Sequence, residues 1–271
     1  MKNQISRIIH KCLPWKLERG QKNRNLSAVE SRPNNASEWE EEYITPLKDI
    51  DPKNPHPIAT ILHSLSQDGD LLLETGCGSA SISANLAAMD RKIELCDFSE
   101  KILDRAKGLF AHNRLAVPHV KCWDLTLKPY PWPDQSVDVT WSSGVLEHWT
   151  DDELVPIVKE MKRISKKKVV SFVPYAGSLF YRIGKDYAER NKTWVYGREI
   201  PRFSLKSVFE QAGLFNIEEK TVWFEQSIEF LRMINMECYL AAKEWRDANQ
   251  EAVRSIYGQG YLLLTVGESE K

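Results

Sequence analysis

The chain carries almost no net charge: Lys+Arg 37 against Asp+Glu 38 leaves -1, with a pI near 6.6. That excludes an all-over basic surface, the footprint of a dedicated nucleic-acid binder. No apolar run approaches the ~18 residues that a membrane-spanning helix requires, and the mean hydropathy is -0.44. Cysteine is sparse and scattered: Cys12, Cys77, Cys96, Cys122 and Cys238 form no CxxC pair and no Cys/His cluster. This argues against a disulfide framework and against a metal site, and for a reducing, cytoplasmic compartment. Cys77, Cys96 and Cys122 sit in apolar, strand-like stretches and read as small core residues. The start of the chain lacks the ~7–15-residue apolar core of a secretory signal, which reads against export. With 271 residues, the chain is long enough for a substantial core that needs no metal or disulfide to hold it.

What is present begins with a basic arm. Residues 1–25 hold Lys2, Arg7, Lys11, Lys16, Arg19, Lys22 and Arg24 against Glu18, and Ile5, Ile8, Ile9, Cys12 and Leu13 fall at helical spacing. Three readings stay open: a foot for a membrane surface or RNA, a cleaved targeting peptide, or a solvated arm. Residues 20–37 are polar and rich in Pro, Asn and Ser, which marks a linker. The expected division is 1–37 as arm and linker and 38–271 as the folded domain, opening on a helix from Trp39 to Leu47.

From residue 57 the chain alternates. PIATILHSLSQ reads as a helix, DLLLETGCG as a strand and SASISANLAAMD as a helix. KIELCDFS is a second strand, followed by a helix that Ser99 caps and that carries an apolar stripe at Ile102, Leu103, Ala106, Leu109 and Phe110. HVKCWDL, SVDVTWSS and KKKVVSFVP read as further strands, with a helix over TDDELVPIVKEMKRIS before the last. Strands alternating with helices of 10–15 residues imply right-handed crossovers and a mostly parallel, doubly wound α/β sheet. The end departs from this rhythm: a helix ending at Gly213, a strand over FNIEEKTVWFEQ, a long helical stretch from Ser227 to Tyr257, and a final strand in GYLLLTVGES.

In such a sheet ligands bind beyond the carboxyl ends of the strands. The first strand ends in Glu74-Thr75-Gly76-Cys77-Gly78-Ser79-Ala80, just before a helix. Glycines there permit a tight turn and close approach of backbone to a ligand. The run is not GxGxxG, because Ser81 stands at the third glycine's place. Asp97 closes the second strand, where an acid can take both hydroxyls of a ribose; the alternative is a helix-start acid. Asp124 closes the third, placed to accept from an adenine amino group or to open a turn.

Taken together these stretches resemble the class I S-adenosylmethionine-dependent methyltransferases, in particular the type 11 methyltransferase-domain family. LLLETGCGSA is similar to its first motif and IELCDFSEKILDRAK to its second. CWDLTLKPYPWPDQSVDVTWSSGVLEHW carries the third-strand aspartate, the fourth strand and the loop at Ser142–His148. YGREIPRFSLKSVFEQAGL and YLLLTVGES fit the later helix and the last strand. Ala80 and Thr75 depart from the pattern, where the family has a third glycine and more often an apolar residue.

The resemblance implies a Rossmann-like, seven-stranded sheet ordered 3-2-1-4-5-7-6 with strand 7 antiparallel, and cap insertions at about 174–203 and 227–257. It implies S-adenosyl-L-methionine as cofactor, its methionine end near Glu74, Thr75, Gly76, Cys77, Gly78, Ser142 and Ser143. The ribose would lie at Asp97, and the adenine between Phe98 and Leu125 beside Asp124. His148 is the candidate base, since a histidine pKa lies near neutrality; its other role would be packing at the cofactor. A sulfonium methyl is already activated, so no metal is expected. The acceptor is expected to be a small molecule held by aromatic residues, with Tyr43, Tyr175, Tyr181, Trp194 and Tyr196 as candidates. SSGV replaces the Asn/Asp-Pro-Pro-Tyr loop used on exocyclic base amines, so DNA is not expected as a partner. A protein or RNA methyltransferase and a non-catalytic methyltransferase-like subunit are the alternatives. A nicotinamide dehydrogenase shares the glycines and second-strand acid but leaves Asp124 and the SSGVLEHW loop without a role.

Overall fold

A computed structural model describes residues 36–43, 46–251 and 260–270. The basic arm and most of the linker lie outside the described residues. Among the described residues two compact units are present, one built from 36–43, 46–173, 204–220 and 263–270, the other from 174–203, 221–251 and 260–262.

The first unit carries the alternating pattern. Helix α1 (Ala36–Tyr43) and α2 (Pro57–Leu65) precede β1 (Leu71–Thr75), α3 (Ser81–Ala88), β2 (Lys92–Asp97), α4 (Glu100–His112) and β3 (His119–Cys122). Then come β4 (Val137–Ser143), a 3-10 turn (Leu146–His148), α5 (Asp151–Ile164) and β5 (Ser165–Pro174). Of the later elements, α6 (Leu179–Arg190) belongs to the second unit; α7 (Lys206–Gln211) returns to the first, followed by β6 (Phe215–Val222). The sheet is seven-stranded, ordered β3-β2-β1-β4-β5-β7-β6 with β7 at Leu262–Glu268. β2 and β4 flank β1 in parallel, with Leu73 opposite Glu94 and Thr140. β7 runs against β5: Ser269 N–H donates to Lys167 O, and Tyr175 N–H to Tyr261 O, so one strand recedes as the other advances. The expected order and the reversed last strand are those observed.

Local chemistry explains the elements. β1 is buried on both faces, as a central parallel strand must be, and its LLL run supplies that. Ser99 Oγ accepts from Ile102 N–H at 3.3 Å, and the whole stripe from Ile102 to Phe110 is buried. Thr150 and Glu153 form a reciprocal capping box at the start of α5. Gly213 sits at φ +84 just past α7, the left-handed position a helix end favours. Cys77 and Cys96 are buried as expected, whereas Cys122 is exposed because β3 is the edge strand.

Two expectations need correction. The helix placed at 39–47 is instead Ala36–Tyr43, and the chain from Pro46 to Ile50 has no regular secondary structure; proline lacks the N–H that continuing a helix needs. The stretch 227–257 is not one helix. The strand before it stops at Val222, Trp223 takes a left-handed conformation (φ +64), and α8 (Phe224–Glu229) begins early. A 3-10 turn (Phe230–Met233) follows, and Asn235 caps α9 (Met236–Ala248), its side chain accepting from Cys238 N–H at 2.7 Å. Residues 252–259 lie outside the described residues. No described helix is long and apolar enough to cross a membrane.

The second unit packs α6, α8 and α9 around Phe180, Ile228, Leu231, Cys238, Tyr239, Ala242 and Trp245. Beside them, Tyr181, Ala188, Trp194 and Phe230 form an aromatic cluster. Buried there, Lys185 pairs with Glu189 and Glu199 and lies 4.0 Å above the Trp194 ring, while the Tyr181 hydroxyl donates to Glu199.

Candidate active site

At the carboxyl ends of β1, β2, β3 and β4, a cavity of about 340 Å³ opens within the first unit. Its floor is the turn after β1. Gly76 (φ +70) and Gly78 (φ +47) both take left-handed conformations. A methyl group on Gly76 would meet Val145 Cγ2 at 2.6 Å, so no other residue fits there without displacing the loop after β4. The amides of Gly76 and Cys77 both donate to Cys96 O, at 2.8 and 3.0 Å, which pins the turn to β2.

Asp97 is nearly buried, and both its carboxylate oxygens are held by backbone: Gly78 N–H donates to Oδ2 at 3.0 Å and Ser99 N–H to Oδ1 at 3.2 Å. Each oxygen keeps a second lone pair for a ligand. Burial raises the Asp97 pKa, and the backbone donors oppose that rise. Glu74 is buried more completely, and its Oε2 meets no hydrogen-bond partner. Burial and the neighbouring Asp97 charge push the Glu74 pKa up to about 8. Asp124 lines the cavity while its Oδ1 accepts from both the N–H and the hydroxyl of Thr126, each at 2.8 Å. It therefore opens a turn and faces the cavity at once.

Aromatic groups form the walls. Phe98, Trp123 and Trp149 line the cavity, as do Trp39 and Tyr43 from α1. Trp39 and Tyr43 stack with centroids 5.8 Å apart, and the His148 ring meets Trp39 edge-on at 5.2 Å.

The structure thus brings Glu74, Gly76, Cys77, Gly78, Asp97, Phe98, Asp124, Leu125, Ser143, His148 and Tyr43 around one space. Thr75 and Ser142 are fully buried beside it, and the Thr75 hydroxyl donates to Trp141 O at 3.1 Å. Side chains alternate across a strand, so Thr75 faces away where Glu74 faces in. Tyr175, Tyr181, Trp194 and Tyr196 lie in the second unit. Tyr181 and Trp194 are buried in its aromatic cluster, which leaves them little surface to offer an acceptor. Sequence reasoning passed over Val145, Ile102, Trp123 and Trp149, all of which line the cavity. Val145 lies within the Ser142–His148 loop and Trp149 directly after it, so both were legible there.

The site suits S-adenosylmethionine. The glycine turn leaves a cradle that a Cβ would fill, and the unpartnered Glu74 oxygen and the Asp97 carboxylate are acceptors for a cationic, hydroxyl-bearing ligand. Phe98 and Leu125 offer apolar faces to a purine.

Comparison with known proteins agrees. Residues 72–168 match the family model described as "Methyltransferase domain". The chain is 26% identical over 141 residues to phosphoethanolamine N-methyltransferase 3 of Arabidopsis thaliana, covering 51% of this chain and 27% of that protein. It is 26% identical over 146 residues to a Mycobacterium tuberculosis protein named as an S-adenosylmethionine-dependent methyltransferase, covering 54% of this chain and 49% of the relative. The chain thus spans half or less of the length of these relatives. Among solved structures, the magnesium protoporphyrin IX methyltransferase of Synechocystis PCC 6803 with bound SAH superposes with a TM-score of 0.51 at 12% identity, covering 86% of this chain and 92% of that one. That likeness is one of fold.

Proposed function

From the premise that residues 72–168 form a class I, S-adenosylmethionine-dependent methyltransferase domain, we propose that this protein transfers a methyl group to a small-molecule acceptor by in-line displacement. The observation that carries the reading is the convergence of Glu74, Asp97 and Asp124, from three successive strands, on a glycine-floored cavity with aromatic walls.

When bound, the cofactor supplies a methyl group already activated on sulfur. The chain's part is to bind, orient and exclude water, and orientation of this kind can lower a barrier by ~7–11 kcal/mol. Asp97 is poised to hold the ribose hydroxyls, being rigidly oriented by Gly78 and Ser99. Phe98 and Leu125 would hold the adenine, and Asp124 would accept from its amino group. Glu74, Gly76, Cys77, Gly78 and Ser143 surround the methionine end. Trp39, Tyr43 and Trp149 wall the cavity and would cover the bound cofactor. His148 stands at the same wall and takes the proton of an acceptor that must lose one.

The charge of the walls narrows the acceptor. The described lining holds three acidic side chains, of which Asp97 and Asp124 are carboxylates and Glu74 keeps its proton near neutral pH until a cation pairs with it, and no Lys or Arg. A neutral or cationic acceptor with an apolar or aromatic body suits these walls, and a phosphate-bearing one does not. The phosphoethanolamine chemistry in the relatives' names is therefore not carried over. The test is incubation of the full chain with S-adenosylmethionine and pools of small amines, phenols and carboxylates, read by mass for a gain of one methyl. Methylation of a neutral or cationic small molecule is expected. Transfer only to protein or RNA, falling steeply with salt, would replace this reading with a macromolecular one.

A further inference from the structure

Helix α1 is a bar laid across three of the loops that form the cavity. Its Tyr43 ring lies over the turn after β1, 3.1–3.3 Å from where a Gly78 Cβ would stand. Its Trp39 meets His148, which follows β4, edge to face. Between them, Glu40 reaches the loop after β2: Ser99 Oγ donates to Oε1 at 2.7 Å and Lys101 Nζ to Oε2 at 2.8 Å. Ser99 is also the residue whose amide holds Asp97 Oδ1, and Gly78 holds Asp97 Oδ2. Glu40, Ser99, Asp97, Gly78 and Tyr43 therefore close a ring, one side of which is α1 itself.

Nothing in the transfer chemistry requires Glu40, which lines no part of the cavity. Its two partners nevertheless lie just past the ribose acid, Ser99 as the cap of α4 and Lys101 in its first turn, and both lower the Glu40 pKa, so the carboxylate is charged throughout the neutral range. Eight residues make too short a helix to persist alone in water, so α1 depends on such anchors. The Lys101 arm of the contact is exposed (73%) and screened by salt, whereas the Ser99 hydroxyl, on a nearly buried residue, is not.

Resting on the methyltransferase reading of the cavity, we infer that Glu40 is a positioning residue: it catches α1 against Ser99 and Lys101, holds Trp39 and Tyr43 over the cofactor, and so sets how long the cofactor stays. The catch acts on residence, not on the transfer step.

The experiment has two arms, both on the full chain. In the first, dissociation of S-adenosylhomocysteine is timed by stopped flow for wild type, Glu40→Ala, Glu40→Gln and the charge swap Glu40→Lys with Lys101→Glu. Loss of a charge-assisted hydrogen bond at this strength predicts dissociation faster by about 5–20-fold in Glu40→Ala. Glu40→Gln, which keeps an acceptor for Ser99, falls between, and the swap recovers part of the loss. Under saturating cofactor kcat stays within about twofold, while the cofactor KM rises. The second arm needs no ligand: amide exchange across residues 36–43 is slower than in an unfolded peptide in wild type and accelerates by a similar factor in Glu40→Ala. Unchanged exchange overturns the catch, as does an unchanged dissociation rate in a protein that binds S-adenosylhomocysteine. If wild type binds none of it, the cofactor reading fails, and the exchange arm alone decides whether Glu40 holds the helix.

Discussion

The Gly78 amide donates to Asp97 Oδ2 at 3.0 Å, tying the turn after β1 to the acid that ends β2. One carboxylate thus shapes the floor of the cavity and faces the ligand. Asp97→Asn keeps the shape of the side chain but turns an NH₂ toward one of the two backbone donors. It should weaken S-adenosylmethionine binding by about 1.5–3 kcal/mol, measured calorimetrically. An affinity unchanged within error would reduce Asp97 to a residue that only starts α4.

Gly76→Ala should fail for a different reason. The position requires φ +70 and leaves no room for a methyl group beside Val145. A loss of about 1–3 kcal/mol in unfolding free energy is expected from the strained backbone and the contact, with cofactor binding lost as the loop after β4 shifts. Gly78→Ala shares the strain of a positive φ (+47), but its nearest contacts are Tyr43 ring atoms at 3.1–3.3 Å, looser than the 2.6 Å at Gly76, so it should cost less stability.

Much of this site was legible because its chemistry is local to strand ends. Gly76, Gly78, Asp97 and Asp124 each follow an apolar run, so position along the chain already placed them on one edge of the sheet. Thr75 and Ser142 show the limit: one step along a strand reverses the face, and spacing alone does not say which of Glu74 and Thr75 looks into the cavity. The aromatic residues of the cap at 174–203 show a related limit. Tyr181 and Trp194 are as suited to a core as to a pocket, and only the packing of α6 against the 3-10 turn at 230–233 decides between them. Glu40 carries no sequence signal, since its partners Ser99 and Lys101 are about sixty residues away.

Glu74 makes ligand-free stability depend on pH. Its folded pKa, about 8, lies above the ordinary value of 4.5. Between these values the unfolded chain has released the proton and the folded chain keeps it, so stability falls as pH rises from about 4.5 to about 8, then levels. Glu74→Gln removes this slope. At roughly 1.4 kcal/mol per pKa unit, the variant should gain up to about 4 kcal/mol at pH 8 relative to wild type, and little at pH 4.5. Denaturant midpoints across that range measure it; parallel curves would show that Glu74 is ionised in the folded protein.

His148 separates proton removal from wall packing. As the acceptor's base, its loss in His148→Ala should lower kcat by about 10²–10⁴, with cofactor affinity changed less than threefold. A loss confined to KM would assign His148 to the aromatic wall it shares with Trp39.

Titration calorimetry of the full chain with S-adenosylmethionine and, separately, with a nicotinamide dinucleotide tests the central claim most directly, because both ligands seek a glycine turn and a second-strand acid. S-adenosylmethionine is predicted to bind at one site per chain, with no heat from the dinucleotide and with binding lost in Gly76→Ala. Binding of the dinucleotide, with none of S-adenosylmethionine, would contradict the account.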